Sequence, residues 1–261
     1  QLACARNRAA SLLSSSAVLR AQLGFNFSRT PKARLRIGYL SADFCQHAAA
    51  CLIAELFELH DRSCVEVVAY SIGADDGSVM RKRLARACDR FVDVRAMSFQ
   101  QVACQIYEDR IDILVDLQGY TKGARTEIAA LRPAPIQVNW LGYPGTMGAE
   151  FIDYIITNRF FSPPEHEPYY SEKFVYLPVW CLINDRKRVI AKKIPTRREL
   201  GLPETGFVFC CFSNTFKITP SIFDIWMRLL KKVPGSVLWL LEANGGVVVN
   251  LGREAEGRGV D

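Results

Sequence analysis

At 261 residues, 49% of them hydrophobic and 23% charged, the chain can build one large or two ordinary domains, which excludes a disordered or fibrous class. No apolar run reaches the length that a membrane-spanning helix needs. The net charge of +6 is local: Arg6, Arg8, Arg20, Arg29, Lys32, Arg34 and Arg36 all precede the first acid, Asp43, and without them the balance is −1. The main body is therefore not a nucleic-acid surface by charge.

Residues 1–33 are basic and rich in Ser and Ala, and are expected to form an N-terminal helical segment; organellar transit peptides share this composition. Strand-like runs then alternate with helix-like spacers. "RLRIGYL" (Arg34 to Leu40) precedes "AAACLIAELFELH" (Ala48 to His60), and "VEVVAYSI" (Val65 to Ile72) precedes a charged helix around "MRKRLARACDR". "RFVDV" precedes a helix around "QQVACQIYEDR", and the apolar "IDILVDLQG" (Ile111 to Gly119), "IQVNW" and "DYIIT" read as further strands. This alternation predicts βαβ units and a parallel sheet buried on both faces. Residues 34–183 are thus expected to form a first α/β lobe.

Residues 184–204 hold seven basic residues and two prolines, and read as an exposed basic linker, with nucleic-acid contact as the weaker alternative. From residue 205 the alternation restarts with "GFVFCCFS", a helix over Pro220 to Lys232 capped by Thr219, "SVLWLLEA" and "NLGREAEGRG". Two βα units are too few for a doubly wound domain, so residues 205–261 are expected to be the start of a second lobe. The nine cysteines form no C-x-x-C pair and read as reduced, buried thiols of an intracellular protein. Cys45, His47 and Cys51 match no zinc spacing, so no metal is expected. Asp75 and Asp76 in "DDG" are adjacent acids that read as a turn and helix cap.

Nucleotide fingerprints are missing: there is no G-x-G-x-x-G after a strand, no P-loop and no G-x-S-x-G elbow. Polar or glycine-rich residues nevertheless follow four strands, in "SADFCQHAAAC" (His47), "QGYTKGAR" (Thr121, Lys122, Arg125), "LGYPGTMG" and "SNTFKITP" (Asn214, Lys217). Loops of this kind line ligand clefts in open α/β sheets, and their cationic groups and helix starts suit phosphate oxygens. Glycine in "LGYPGTMG" points to a close main-chain approach or to a tight turn.

"LRIGYLSADFCQH", "GYTKGARTEIAALRPAPIQVNWLGYPGTMGAEFIDYIITN" and "FCCFSNTFKITPSIFDIWMRLLKKVPGSVLWLLEAN" resemble the catalytic region of O-linked N-acetylglucosamine transferases, including SPINDLY-type and bacterial members. The resemblance runs from about Leu35 to Asp261, and implies a chain shortened at both ends relative to the family. It implies two Rossmann-like lobes of the GT-B type, the second incomplete, in an inverting glycosyltransferase. Such an enzyme moves N-acetylglucosamine or a related sugar from a UDP-sugar to Ser or Thr of proteins. It implies no cofactor or metal, tetratricopeptide repeats upstream in the full protein, no nucleic acid or membrane partner, and a cytoplasmic or nucleocytoplasmic location.

By resemblance, Lys217 is the lysine that binds the diphosphate and stabilises the leaving UDP, and Asn214 is a nucleotide-contacting amide. His47 lines the sugar and acceptor side, Leu141 and Gly142 pack on the donor sugar, and Pro144 fixes the turn. Thr121 and Arg125 shape the same cleft. The family's usual proline and second histidine after His47 are Ala48 and Cys51 here, and a sugar-contacting threonine is Ala49. Those departures support a rival reading, a catalytically inactive scaffold that keeps the fold. A nucleotide-sugar epimerase shares the two-lobe layout but lacks "LGYPGT" and "KITP".

Overall fold

The computed structural model describes residues 1–27 and 31–261; Arg29 of the basic N-terminal run lies outside the described residues. The chain divides into two compact units, Gln1–Arg188 and Val189–Asp261. In the first, the helix α1 (Leu2–Leu23) precedes β1 (Leu35–Ser41), α2 (Ala48–Leu59), β2 (Val65–Ser71), α3 (Val79–Ala87), β3 (Arg90–Asp93) and α4 (Phe99–Glu108). Then come β4 (Ile113–Asp116), the single turn α5 (Glu127–Ala130), β5 (Ile136–Asn139), β6 (Tyr154–Thr157) and β7 (Lys173–Tyr176).

All seven strands pair in parallel in the order β3-β2-β1-β4-β5-β6-β7. Side chains alternate across a strand, and here both faces are covered. Tyr39, Val67, Ala69 and Val115 join Ile53, Phe57 and Leu84 under α2 and α3. Their strand neighbours Leu40, Val68, Tyr70 and Leu114 join Val102, Ile106 and Ile128 under α4 and α5. Phe57 is fully buried, its ring 4.7 Å from Tyr39 and 5.9 Å from Phe44. Through Ala5 and Ala9, α1 packs near Ala130, Met147 and Phe151.

The helices start where side chains can take up free amides. Ser98 and Gln101 make a reciprocal capping box on α4, and the Ser78 hydroxyl accepts from the Arg81 amide on α3. Predicted strands and helices of this unit appear in place, but the long "IDILVDLQG" contributes only four strand residues. Leu117 to Gly119 leave the ladder because the Asp116 carboxylate accepts from the Gln118 and Gly119 amides and turns the chain. β7 carries little sequence periodicity and was not expected, and the helix expected to start around Lys122 and Arg125 is the single turn α5.

The basic run from Asn184 is not free throughout. Asp185 is buried on Arg83, Arg186 pairs with buried Glu55, and Lys187 with Glu58, which fastens this segment to α2 and α3. The second unit carries β8 (Val208–Cys211) parallel to β9 (Val237–Leu240), with α6 (Pro220–Lys232) and α7 (Gly245–Glu256). Thr219 caps α6 with Pro220 at its first position, as predicted. The expectation of buried thiols fails: only Cys181 is buried, whereas Cys4, Cys64 and Cys210 are exposed and the other five are intermediate. Cys210 sits on a strand of a two-stranded sheet, which cannot cover both of its faces.

Two predictions follow from packing and charge. Phe57→Ala should lower stability by about 3–5 kcal/mol, read from urea unfolding, because it empties a fully packed site. Arg83 and Lys187 hold the Glu58 carboxyl down at about 2, and Arg83 lowers that of Asp185. Below the ordinary carboxylate range the unfolded chain takes up these protons first, so the stabilisation present at neutral pH is lost as pH falls from about 4.5 towards about 2. The urea midpoint should therefore drop between pH 6 and pH 3, and Arg83→Met should flatten that dependence.

Candidate active site

The strand order reverses at β1, with β2 on one side and β4 on the other. In open parallel sheets, ligands gather at the carboxyl ends of strands around such a reversal. Among the segments that leave that edge, three carry predicted site residues: residues 42–47 after β1, 117–126 after β4 and 140–148 after β5.

His47 ends the first segment and caps α2. Its Nδ1 accepts from the Ala49 amide at 3.3 Å and lies 3.4 Å from Asp43 Oδ2, while the side chain stays half-exposed. Asp43, four residues earlier, went unnoticed in the sequence; its spacing from a helix-capping histidine is the only local signal. Burial pushes the Asp43 carboxyl up, and His47 opposes that shift.

In the second segment, Thr121 donates to the Gln118 carbonyl and to its side-chain Oε1, at 2.9 and 2.8 Å. Among the described residues Arg125 reaches no carboxylate; it donates to the carbonyls of Met97 at 2.7 Å and Val94 at 3.4 Å, after β3. Lys122 is exposed. A buried polar group lies beneath them at the ends of β4 and β5, formed by Asp116, Gln118 and Asn139. Burial pushes the Asp116 carboxyl up against the Gln118 and Gly119 amides that it accepts. Gln118 Nε2 and Asn139 Oδ1 are buried without a partner among the described residues. The sequence signal for this group is polar residues closing apolar strands, in "VDLQG" and "QVNW".

The third segment contains "LGYPGTMG", and its geometry explains the glycines. A Cβ on Gly142 would sit 2.1 Å from the Leu117 carbonyl oxygen, so this main chain presses on the segment after β4. Gly148 adopts φ +61°, and a Cβ there would lie 2.5 Å from the Arg6 nitrogen of α1. Leu141 adopts φ +73° without being glycine, a conformation that costs about 1–3 kcal/mol and persists only where the surroundings hold it. Its side chain is half-buried and lines an apolar pocket of about 190 Å³ with Trp140, Pro144, Phe161, Cys181 and Leu182. Buried Glu172 anchors the far end, accepting from the Thr146 hydroxyl and the Met147 amide at 2.7 and 2.6 Å. Asn139 holds the middle by donating to the Tyr143 and Gly145 carbonyls. Pro144 is exposed at the tip.

In the second unit, Asn214 precedes and Lys217 closes a short 3₁₀ turn between β8 and α6. The Lys217 amide donates to the Asn214 carbonyl, and its exposed ammonium lies 6.0 Å from the Phe216 ring centroid. Among the described residues it forms no ion pair. The structure thus gathers His47, Thr121, Arg125, Leu141, Gly142 and Pro144 on three neighbouring segments of the first unit, and sets Asn214 and Lys217 together in the second.

The family model for glycosyl transferase family 41 matches residues 2–194 and 190–260. The "Probable UDP-N-acetylglucosamine–peptide N-acetylglucosaminyltransferase SEC" of Arabidopsis thaliana is 46% identical over 80% of this chain and 22% of its own length. The UDP-N-acetylglucosamine–peptide N-acetylglucosaminyltransferase of Caenorhabditis elegans is 30% identical over 82% of this chain and 28% of its own. A lysine-to-methionine mutant of the Thermobaculum terrenum O-GlcNAc transferase superposes with a TM-score of 0.78 at 28% identity, covering 98% of this chain and 49% of that one. A lipopolysaccharide outer core galactosyltransferase, WaaB, shares the fold at a TM-score of 0.51 and 11% identity, over 87% of this chain and 66% of its own. The chain spans about a quarter of the length of the curated relatives. With a family model matched along almost its whole length, the chain belongs to glycosyl transferase family 41.

Proposed function

We propose that this chain belongs to the catalytic region of an inverting transferase that moves N-acetylglucosamine, or a related sugar, from a UDP-sugar to Ser or Thr hydroxyls of proteins. The observation that carries the reading is the family match over both units, with relatives named as UDP-N-acetylglucosamine–peptide transferases. In the whole protein, tetratricopeptide repeats would present the acceptor.

The acceptor hydroxyl would attack the anomeric carbon opposite the UDP, through an oxocarbenium-like transition state. Negative charge then grows on the β-phosphate, and Lys217 is assigned to offset it beside the start of α6. Asn214 would contact the nucleotide. No metal is invoked, since an ammonium and helix amides can supply this stabilisation. Leu141 and Gly142 are assigned to the donor sugar, with Thr121 and Arg125 holding the neighbouring segment in place.

His47 is assigned to the acceptor side, and its geometry limits how it can act. When Nδ1 accepts from the Ala49 amide, the neutral ring carries its proton on Nε2 and can only donate outward. When Nδ1 instead carries the proton towards Asp43, Nε2 has a free lone pair and can take the proton of an incoming hydroxyl, directly or through water. A base role therefore requires the Asp43-paired tautomer. The capping bond, with Ala48, Ala49 and Cys51 following, is what favours the rival reading of an inactive scaffold.

Calorimetric titration of UDP and then UDP-N-acetylglucosamine should show binding that Lys217→Ala weakens tenfold or more, about 1.4 kcal/mol. No binding by the folded protein would leave the scaffold reading standing. In a Ser-peptide transfer assay, His47→Ala should lower turnover by about 10²–10⁴-fold. Asp43→Asn should lower it by less, because the ring survives but loses the partner that selects its tautomer. Unchanged turnover in both variants would remove His47 from the chemistry.

A further inference from the structure

We propose that Asp76 and Arg81, on the loop and first turn after β2, are positioning residues that fix the backbone entering His47. The "DDG" turn around them is absorbed by no step above, and its two carboxylates do different work. Asp75 Oδ1 accepts from the Gly77 amide and lies 3.1 Å from Arg81 Nε. Asp76 Oδ1 accepts from the Ser78 amide, and its Oδ2 accepts from the Gln46 amide at 2.7 Å, one residue before His47. That last bond crosses from the segment after β2 to the segment after β1.

Arg81 makes the second crossing. It is 5% exposed, and a buried guanidinium persists only when its donors are satisfied. One terminal nitrogen donates to the Phe44 carbonyl at 3.1 Å and to Ser71 Oγ at 2.8 Å; the other donates to Asp93 Oδ2 at 3.0 Å. Its carbon stacks 4.9 Å from the Phe91 ring centroid. A single planar group thus joins the ends of β2 and β3 to Phe44, three residues before His47. The intervening chain is tied to itself, the His47 amide donating to the Cys45 carbonyl at 2.8 Å. The backbone that enters His47 is thus held at Phe44 and at Gln46.

The bond from Gln46 also holds the Asp76 carboxyl down at about 2, so its acceptor is ionised at neutral pH. The kinetic part of this inference rests on the transferase reading, but its structural part does not, which keeps the two failures apart. The test reads the imidazole ¹⁵N resonances of His47 and the exchange rate of the Gln46 amide by NMR in the folded protein. Asp76→Ala should speed Gln46 exchange at least tenfold and shift both His47 ring nitrogens. Asp76→Asn, which keeps an acceptor oxygen, should return both signals towards the parent. Asp75→Ala loosens Arg81 without touching Gln46 and should move the same signals by less. Should transfer activity be measurable, Asp76→Ala should lower kcat while leaving the donor KM within about twofold. Parent-like His47 resonances and Gln46 exchange in the folded Asp76→Ala or Asp75→Ala protein would overturn the proposal, whatever the activity.

Discussion

Burial on both faces is the constraint from which the rest of the first unit follows. A parallel strand with α2 and α3 over one side and α4 and α5 over the other has no wet face on which to carry a polar side chain. Polar chemistry is pushed to the strand ends, where the ladder stops and amides and carbonyls fall free. His47, Thr121 and Leu141 all lie within a few residues of such an end, on β1, β4 and β5 respectively. The order reversal at β1 then sets which ends become neighbours. The predicted site residues of the first unit are thus gathered by the sheet as a by-product of its being covered.

Much of this was legible in the sequence because alternation and capping are local. Runs such as "VEVVAYSI" and a proline after Thr219 carry their structure in a handful of residues. β7 escaped notice because "KFVY" is a short edge strand in a loop-rich stretch, where four residues give no usable period. The ion pairs at the start of the exposed basic run could not be read from the sequence because their partners, Glu55, Glu58 and Arg83, lie over 100 residues away. Charge density along the chain reports nothing about charges opposite it in space.

The site shows the same division. Residue types at strand ends pointed to His47, Lys217 and the glycine-rich segment. The groups around them were harder to see: Asp76 read only as a turn residue, and Arg81 and Glu172 act through main-chain contacts between segments distant in sequence, while Asp43 meets the His47 ring from four residues away without any motif to mark it. The glycines were a partial success. A close approach was expected at "LGYPGTMG", and at Gly142 one exists, made by the chain's own Leu117 carbonyl.

Gly148 carries that lesson to the other side of the same segment. There the backbone of α1 lies so near that no β-carbon would fit, and Gln1 at the head of the helix reaches the Tyr143 hydroxyl at 3.5 Å. Side chains act as padding between elements, turning small movements into changes of rotamer before they travel further. This contact has no padding. A displacement of the first turns of α1 would pass as a rigid push into the segment that holds strained Leu141, which makes the N-terminal helix a lever on that segment.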